Sequence, residues 1–162
     1  MKKYLSLLLL FALLSSCSEE IQFNNPAFQT LKNRVFWRAQ TYEAYLTSGG
    51  QMVIKGSLGA EQVQLQTASP EARTYIFGVD NNSWATFYNE FSEPTYRFTT
   101  QANSGSGEIT ITEYNKEANT ISGTFKFVAE NSDERDTANA NVSFSEGVFY
   151  KVPITSEITF EN

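Results

Sequence analysis

From Phe28 onward, apolar and polar residues alternate with a period of two, in short runs broken by clusters of Gly, Asn, Ser and Pro. An extended chain points successive side chains to opposite faces, so each run predicts a strand with one buried face. Val35, Trp37 and Ala39 alternate with Phe36 and Arg38. Ser48-Gly49-Gly50 leads into Met52-Val53-Ile54, and a turn placed over Gly56 to Gly59 leads into Val63 and Leu65, which alternate with Gln62, Gln64 and Gln66. Tyr75 and Phe77 precede a turn at Asp80-Asn81-Asn82, after which Ala85 and Phe87 alternate with Trp84, Thr86 and Tyr88. Behind Pro94, Tyr96 and Phe98 alternate with Arg97 and Thr99, and behind Asn103 to Gly107, Ile109 and Ile111 alternate with Thr110 and Thr112. The longest alternating face is Ile121, Gly123, Phe125, Phe127 and Ala129. A tight turn at Glu146-Gly147 is expected between Val142–Phe144 and two closing runs, Val148 to Val152 and Ile154 to Phe160.

This pattern predicts an all-β fold of about ten or eleven short strands. No segment carries a sustained apolar stripe at helical spacing, so little or no helix is expected, and no crossover helix exists to build parallel βαβ units. An antiparallel β-sandwich with one polar face per sheet is the first expectation. A flattened up-and-down β-barrel is the second.

The N-terminus departs from this pattern. Met1-Lys2-Lys3 is a short basic region, Leu5 to Leu14 is almost wholly apolar, and Ser15-Ser16 are small residues before Cys17. That order is the order of a secretory signal peptide. The apolar run is about half the roughly 20 residues that span a bilayer, so it is not read as a permanent transmembrane helix. The expected organisation is a signal peptide over residues 1–16, a modified Cys17 with a tether to residue 27, and one β-domain over 28–162. At most about 3.3–3.6 Å per extended residue, the tether keeps the domain close to the membrane.

Composition narrows the chemistry. The chain has 18 acidic and 12 basic residues, and removal of Lys2 and Lys3 with the leader leaves 10 basic against 18 acidic, a net charge of −8. Such a domain is not expected to bind nucleic acid or an anionic lipid surface. There is no histidine, which removes Ser-His-Asp and Cys-His catalysis and imidazole metal sites. Cys17 is the sole cysteine, so no internal disulfide can form.

Leu14-Ser15-Ser16-Cys17 resembles a bacterial lipobox, which implies a thioether-linked diacylglyceryl group on Cys17 and cleavage before it. Two or more acyl chains, at about 0.8 kcal/mol per buried methylene, would hold the protein stably on a membrane. Ser18-Glu19-Glu20 resembles the export signal that sends lipoproteins of Bacteroidota to the outer face of the outer membrane; the periplasmic leaflet is the alternative. Thr74 to Gly78, Ile109 to Asn115, Ile121 to Phe127 and Gly147 to Ile154 together resemble a family of uncharacterised Bacteroidota lipoproteins. That resemblance implies an all-β fold and supplies no activity, cofactor or catalytic residue. Asp136-Thr137-Ala138 resembles the O-glycosylation motif of exported Bacteroidota proteins, which would make Thr137 an acceptor.

The remaining chemistry is carboxylate, lysine or serine chemistry. Glu90 with Glu93, or Glu108 with Glu113, could in principle form a glycosidase pair, but both pairs flank turns and solvated acids are expected. Asn131 to Asp136 offers oxygen ligands for calcium but lacks the glycine and spacing of an EF-hand loop, and Arg135 opposes a cation. No metal site, cofactor or enzymatic activity is therefore expected. Trp84 and Tyr88 are the candidate ligand contacts, because Ala85 and Phe87 pointing inward leaves them outward on one strand. The expected function is a non-enzymatic binding module for a glycan or an envelope protein. An accessory subunit of an outer-membrane complex is the alternative.

Overall fold

A computed structural model describes residues 27–91 and 96–155. Cys17, the leader, the acidic signal, most of the tether and Glu93 lie outside the described residues. In chain order the strands are β1 (Ala27–Lys32), β2 (Val35–Arg38), β3 (Thr41–Leu46), β4 (Met52–Leu58), β5 (Glu61–Thr67) and β6 (Thr74–Phe77). They continue as β7 (Trp84–Asn89), β8 (Tyr96–Thr99), β9 (Ser106–Asn115), β10 (Thr120–Asn131) and β11 (Asn141–Thr155). The one helical segment among the described residues is a 3-10 turn, Thr137–Asn139.

These eleven strands form one continuous sheet that folds back on itself in a sandwich-like all-β arrangement. One layer runs β2-β1-β11-β10-β9-β6 and the other β3-β4-β5-β7-β8. Two corners join them. The end of β11 lies beside β3 (Ile154↔Ala44, Thr155↔Tyr45), and the end of β10 lies beside β8 (Glu130↔Thr99, Asn131↔Phe98). The β11–β3 pairing is parallel, so the sheet is mixed where a purely antiparallel one was expected.

The alternation read from the sequence places the core. Ile121, Phe125, Phe127 and Ala129 of β10 are buried, with Thr124, Lys126 and Val128 exposed between them. Phe144 of β11 stacks on Phe127 at 4.6 Å and meets Phe87 of the opposite layer at 5.4 Å. Aromatic rings at these separations add to the burial of their large apolar area. Phe28 closes on Gly56, where a Cβ would stand 2.7 Å from its ring. Gly56 is therefore an inward position within β4 rather than part of a turn; the turn is at Gly59-Ala60.

Three further expectations change. Glu146-Gly147 is a bulge within β11 and not a turn between two strands. Glu146 (φ 52°) and Lys151 (φ 47°) each take a left-handed conformation. There the inward set of β11 shifts phase, from Val142 and Phe144 to Gly147 and Phe149, and then to Val152. Thr41–Leu46, which the period-two reading does not single out, forms β3 with Ala44 fully buried. Val35 shares the phase of Trp37 and Ala39 but is 66% exposed, because β2 is an edge strand and Val35 sits at the rim, next to the Asn33-Arg34 turn.

The rim of the two layers is tied by one polar cluster. Glu61 at the start of β5 accepts from Lys32 Nζ of β1 and, at 2.7 Å, from the indole Nε1–H of Trp37 in β2. Trp37 is 3% exposed, so this carboxylate satisfies a donor that water does not reach.

Candidate functional site

The outer face of the β3-β4-β5-β7-β8 layer carries the candidate site. Inward Val63 and Leu65 put Gln62, Gln64 and Gln66 outward on β5, and inward Ala85 and Phe87 put Trp84, Thr86 and Tyr88 outward on β7. The register then builds rows across the sheet. Thr41, Ser57, Gln62, Tyr88 and Arg97 form one row, and Glu43, Lys55, Gln64, Thr86 and Thr99 the next. Tyr45, Val53, Gln66 and Trp84 form the third. The β5–β7 adjacency exists because β6 crosses to the other layer and pairs with β9.

Hydrogen bonds order this surface. The Tyr88 hydroxyl donates to Gln62 Oε1, and Gln62 Nε2 donates to Ser57 Oγ at 3.1 Å. Partial burial pushes the Tyr88 phenol above its ordinary pKa of 10.0, with the charge of Glu90 acting the same way and Lys55 and Arg97 opposing. Gln66 Nε2 donates to the Asn82 carbonyl at 3.3 Å. Asp80 accepts from the backbone N–H groups of Asn82 (2.8 Å) and Ser83 (3.3 Å), which fixes that turn and holds its carboxyl below the usual value. Lys55 Nζ lies 4.8 Å from the centroid of the Tyr45 ring.

Trp84 and Tyr88 are both partly buried, so each ring is held by its neighbours while keeping an accessible part; Thr86 between them is buried. Two open depressions flank the row of glutamines. One, of about 240 Å³, is lined by Thr41, Tyr42, Glu43, Lys55, Ser57 and Gln62. The other, of about 260 Å³, is lined by residues including Asn81, Trp84, Thr86, Arg97, Thr99 and Gln101. Sequence reasoning reached Trp84 and Tyr88 but not Tyr45, Lys55, Arg97 or the amides as parts of the same surface. The outward Gln62-Gln64-Gln66 alternation was the one local signal for them.

The other candidates are engaged elsewhere or stand apart. Glu108 pairs with Lys126 at 3.1 Å across β9 and β10, exposed Glu113 accepts from Asn115 Nδ2 at 3.3 Å, and Glu90 is exposed on a turn. In the β10–β11 loop, Asp133 is gripped by Arg135 through Nε at 2.9 Å and a second guanidinium nitrogen at 3.1 Å. This contact holds the Asp133 carboxyl below its usual range. Asp136 caps the 3-10 turn by accepting from Asn139 N, and Thr137, the first residue of that turn, is exposed. Among the described residues no group of three or more acidic or thiol side chains is arranged to hold a metal ion.

No curated protein and no solved structure matches the chain. Residues 24–153, which take in every described strand and all but the last two residues of β11, match the model of DUF6252, a domain of unknown function, and the chain belongs to that family.

Proposed function

We propose that this protein is a lipid-anchored, non-catalytic glycan-binding module of the cell envelope. The observation that carries the reading is the placement of Trp84 and Tyr88 on one outer sheet face beside the partly exposed Gln62 and Gln64, with buried Gln66 opposite Trp84. The flat C–H face of a sugar ring lies on an aromatic ring, and its hydroxyl rim exchanges hydrogen bonds with amides that both donate and accept. The two rings stand four residues apart on a strand, about 13 Å, so the natural ligand is a saccharide chain rather than a single sugar. The rings are already held by packing and by the Tyr88–Gln62 bond, so little ordering is needed on binding. In this reading Cys17 carries the acyl chains, residues 18–20 direct the protein to the cell surface of a Bacteroidota-type outer membrane, and the short tether presents the domain near that membrane.

Two measurements test this. Metabolic labelling with a palmitate analogue should mark the wild-type chain and not Cys17→Ser; labelling of both would remove the anchor from the account. In a glycan array, Trp84→Ala and Tyr88→Ala should each weaken retention at least tenfold while leaving the melting temperature within a few degrees. The accessory-subunit reading has one observation of its own, Val35 and Phe36 exposed at 66% and 64% on edge strand β2. A protein captured by cross-linking through β2, with no glycan retained, would favour it instead.

A further inference from the structure

The depression beside Trp84 has a chemical bias of its own. Among the described residues its lining contains one guanidinium, an indole, the amides of Asn81 and Gln101 and threonine hydroxyls, and no carboxylate. The chain as a whole has a net charge of −6, so a hollow with a cation and no acid runs against the average. Arg97 has no carboxylate partner among the described residues. The adjoining hollow that it also borders has two acids: Asp133 is taken by Arg135, and Asp136 accepts from Asn131 and Asn139.

The geometry is set by the strands. Arg97 faces Tyr88 across β7 and β8, and Thr99 faces Thr86. Asn81 is fixed by accepting the Ala102 N–H on its side-chain oxygen at 3.1 Å, which leaves its NH₂ to donate. The backbone of Gln101 is held by its bridge to Ser104, and its side chain is exposed. A sugar ring on Trp84 would thus meet neutral donors and acceptors from Asn81, Gln101 and the threonines, and the exposed guanidinium of Arg97, within one hollow. A planar guanidinium pairs with a carboxylate through two parallel hydrogen bonds, which a neutral hydroxyl cannot match.

We infer that this depression is a subsite for a carboxylate-bearing sugar, a uronic acid residue within a polysaccharide. The inference rests on the glycan-binding reading above and narrows it. Trp84 carries the ring, Arg97 the carboxylate, and Asn81, Gln101 and Thr99 the hydroxyls.

The test uses the full chain in detergent, titrated calorimetrically with hexamers of galacturonate, mannuronate and guluronate and with their carboxyl-reduced, neutral counterparts. At least one acidic hexamer should bind tenfold or more tightly than its reduced form, and 0.5 M salt should narrow that difference, because Arg97 is exposed and its charge is screened. Arg97→Gln should abolish the preference by weakening the acidic hexamer at least tenfold more than the reduced one; Arg97→Lys should restore part of it. Equal binding of acidic and reduced forms, or an equal loss of both in Arg97→Gln, overturns the inference. If neutral hexamers bind in a Trp84-dependent way without acid preference, the inference falls and the glycan platform stands. If no hexamer, acidic or neutral, and no array glycan binds, both fall.

Discussion

Glu61 holds the two layers together at the rim, and its replacement separates two kinds of interaction. It accepts from Lys32 and from Trp37, whose indole N–H is closed off from water. In Glu61→Ala the Trp37 N–H is left unpaired, at a cost of about 1–3 kcal/mol. Loss of the Lys32 pair adds about 0–1 kcal/mol, since both side chains keep some solvent contact, 25% and 22%. The expected total is about 1–4 kcal/mol. Glu61→Gln keeps a carbonyl oxygen for Trp37 and should cost about 1 kcal/mol or less. Lys32→Met removes only the ion pair and should also cost about 1 kcal/mol or less. Urea unfolding followed by tryptophan fluorescence measures all three, with unchanged m-values confirming that stability alone has moved. A cost for Glu61→Gln or Lys32→Met equal to that of Glu61→Ala would refute the assignment of the main term to the buried indole.

Two other outcomes follow from the geometry. Gly147→Ala places a Cβ 2.6 Å from both the ring and the carbonyl oxygen of Phe125, so the β11 bulge must shift; a loss of about 1–3 kcal/mol in urea unfolding is expected. Asp80 has its folded pKa depressed by the Asn82 and Ser83 N–H bonds, so its contribution to the 80–83 turn is full above its ordinary value of 3.8 and is lost as pH falls through the lower folded value. An NMR titration of the Asp80 carboxyl should therefore show a midpoint below 3.8, and Asn82→Pro, which removes the first donor, should raise it.

The strands that carry strict alternation were legible in the sequence. Phe125, Phe127 and Ala129 are buried on β10 as the pattern requires, because from Thr124 to Glu130 each face of that strand keeps one environment; before it, Ser122 is buried where the register shifts. Legibility failed where the environment changes within a strand. The phase of β11 shifts at Glu146 and Lys151 through backbone conformations that no residue type there announces, and Val35 keeps the correct phase at a rim with nothing above it. Of the candidate site, the outward set of β7 follows from local alternation. Its partners do not: Gln62 lies 26 residues from Tyr88, and the pairing depends on β6 leaving for the other layer. Arg97 alternates visibly with Tyr96 and Phe98, but only the register of β8 on β7 puts it beside Tyr88 and the hollow.

The central claim is that the β7 face binds saccharide chains, and a glycan array probed in parallel with wild type and the Trp84→Ala/Tyr88→Ala double variant tests it most directly. The account predicts that the wild-type chain retains a subset of polysaccharides and that the folded double variant retains none of them. Retention of the same glycans by the double variant, or of none by the wild type, would contradict it.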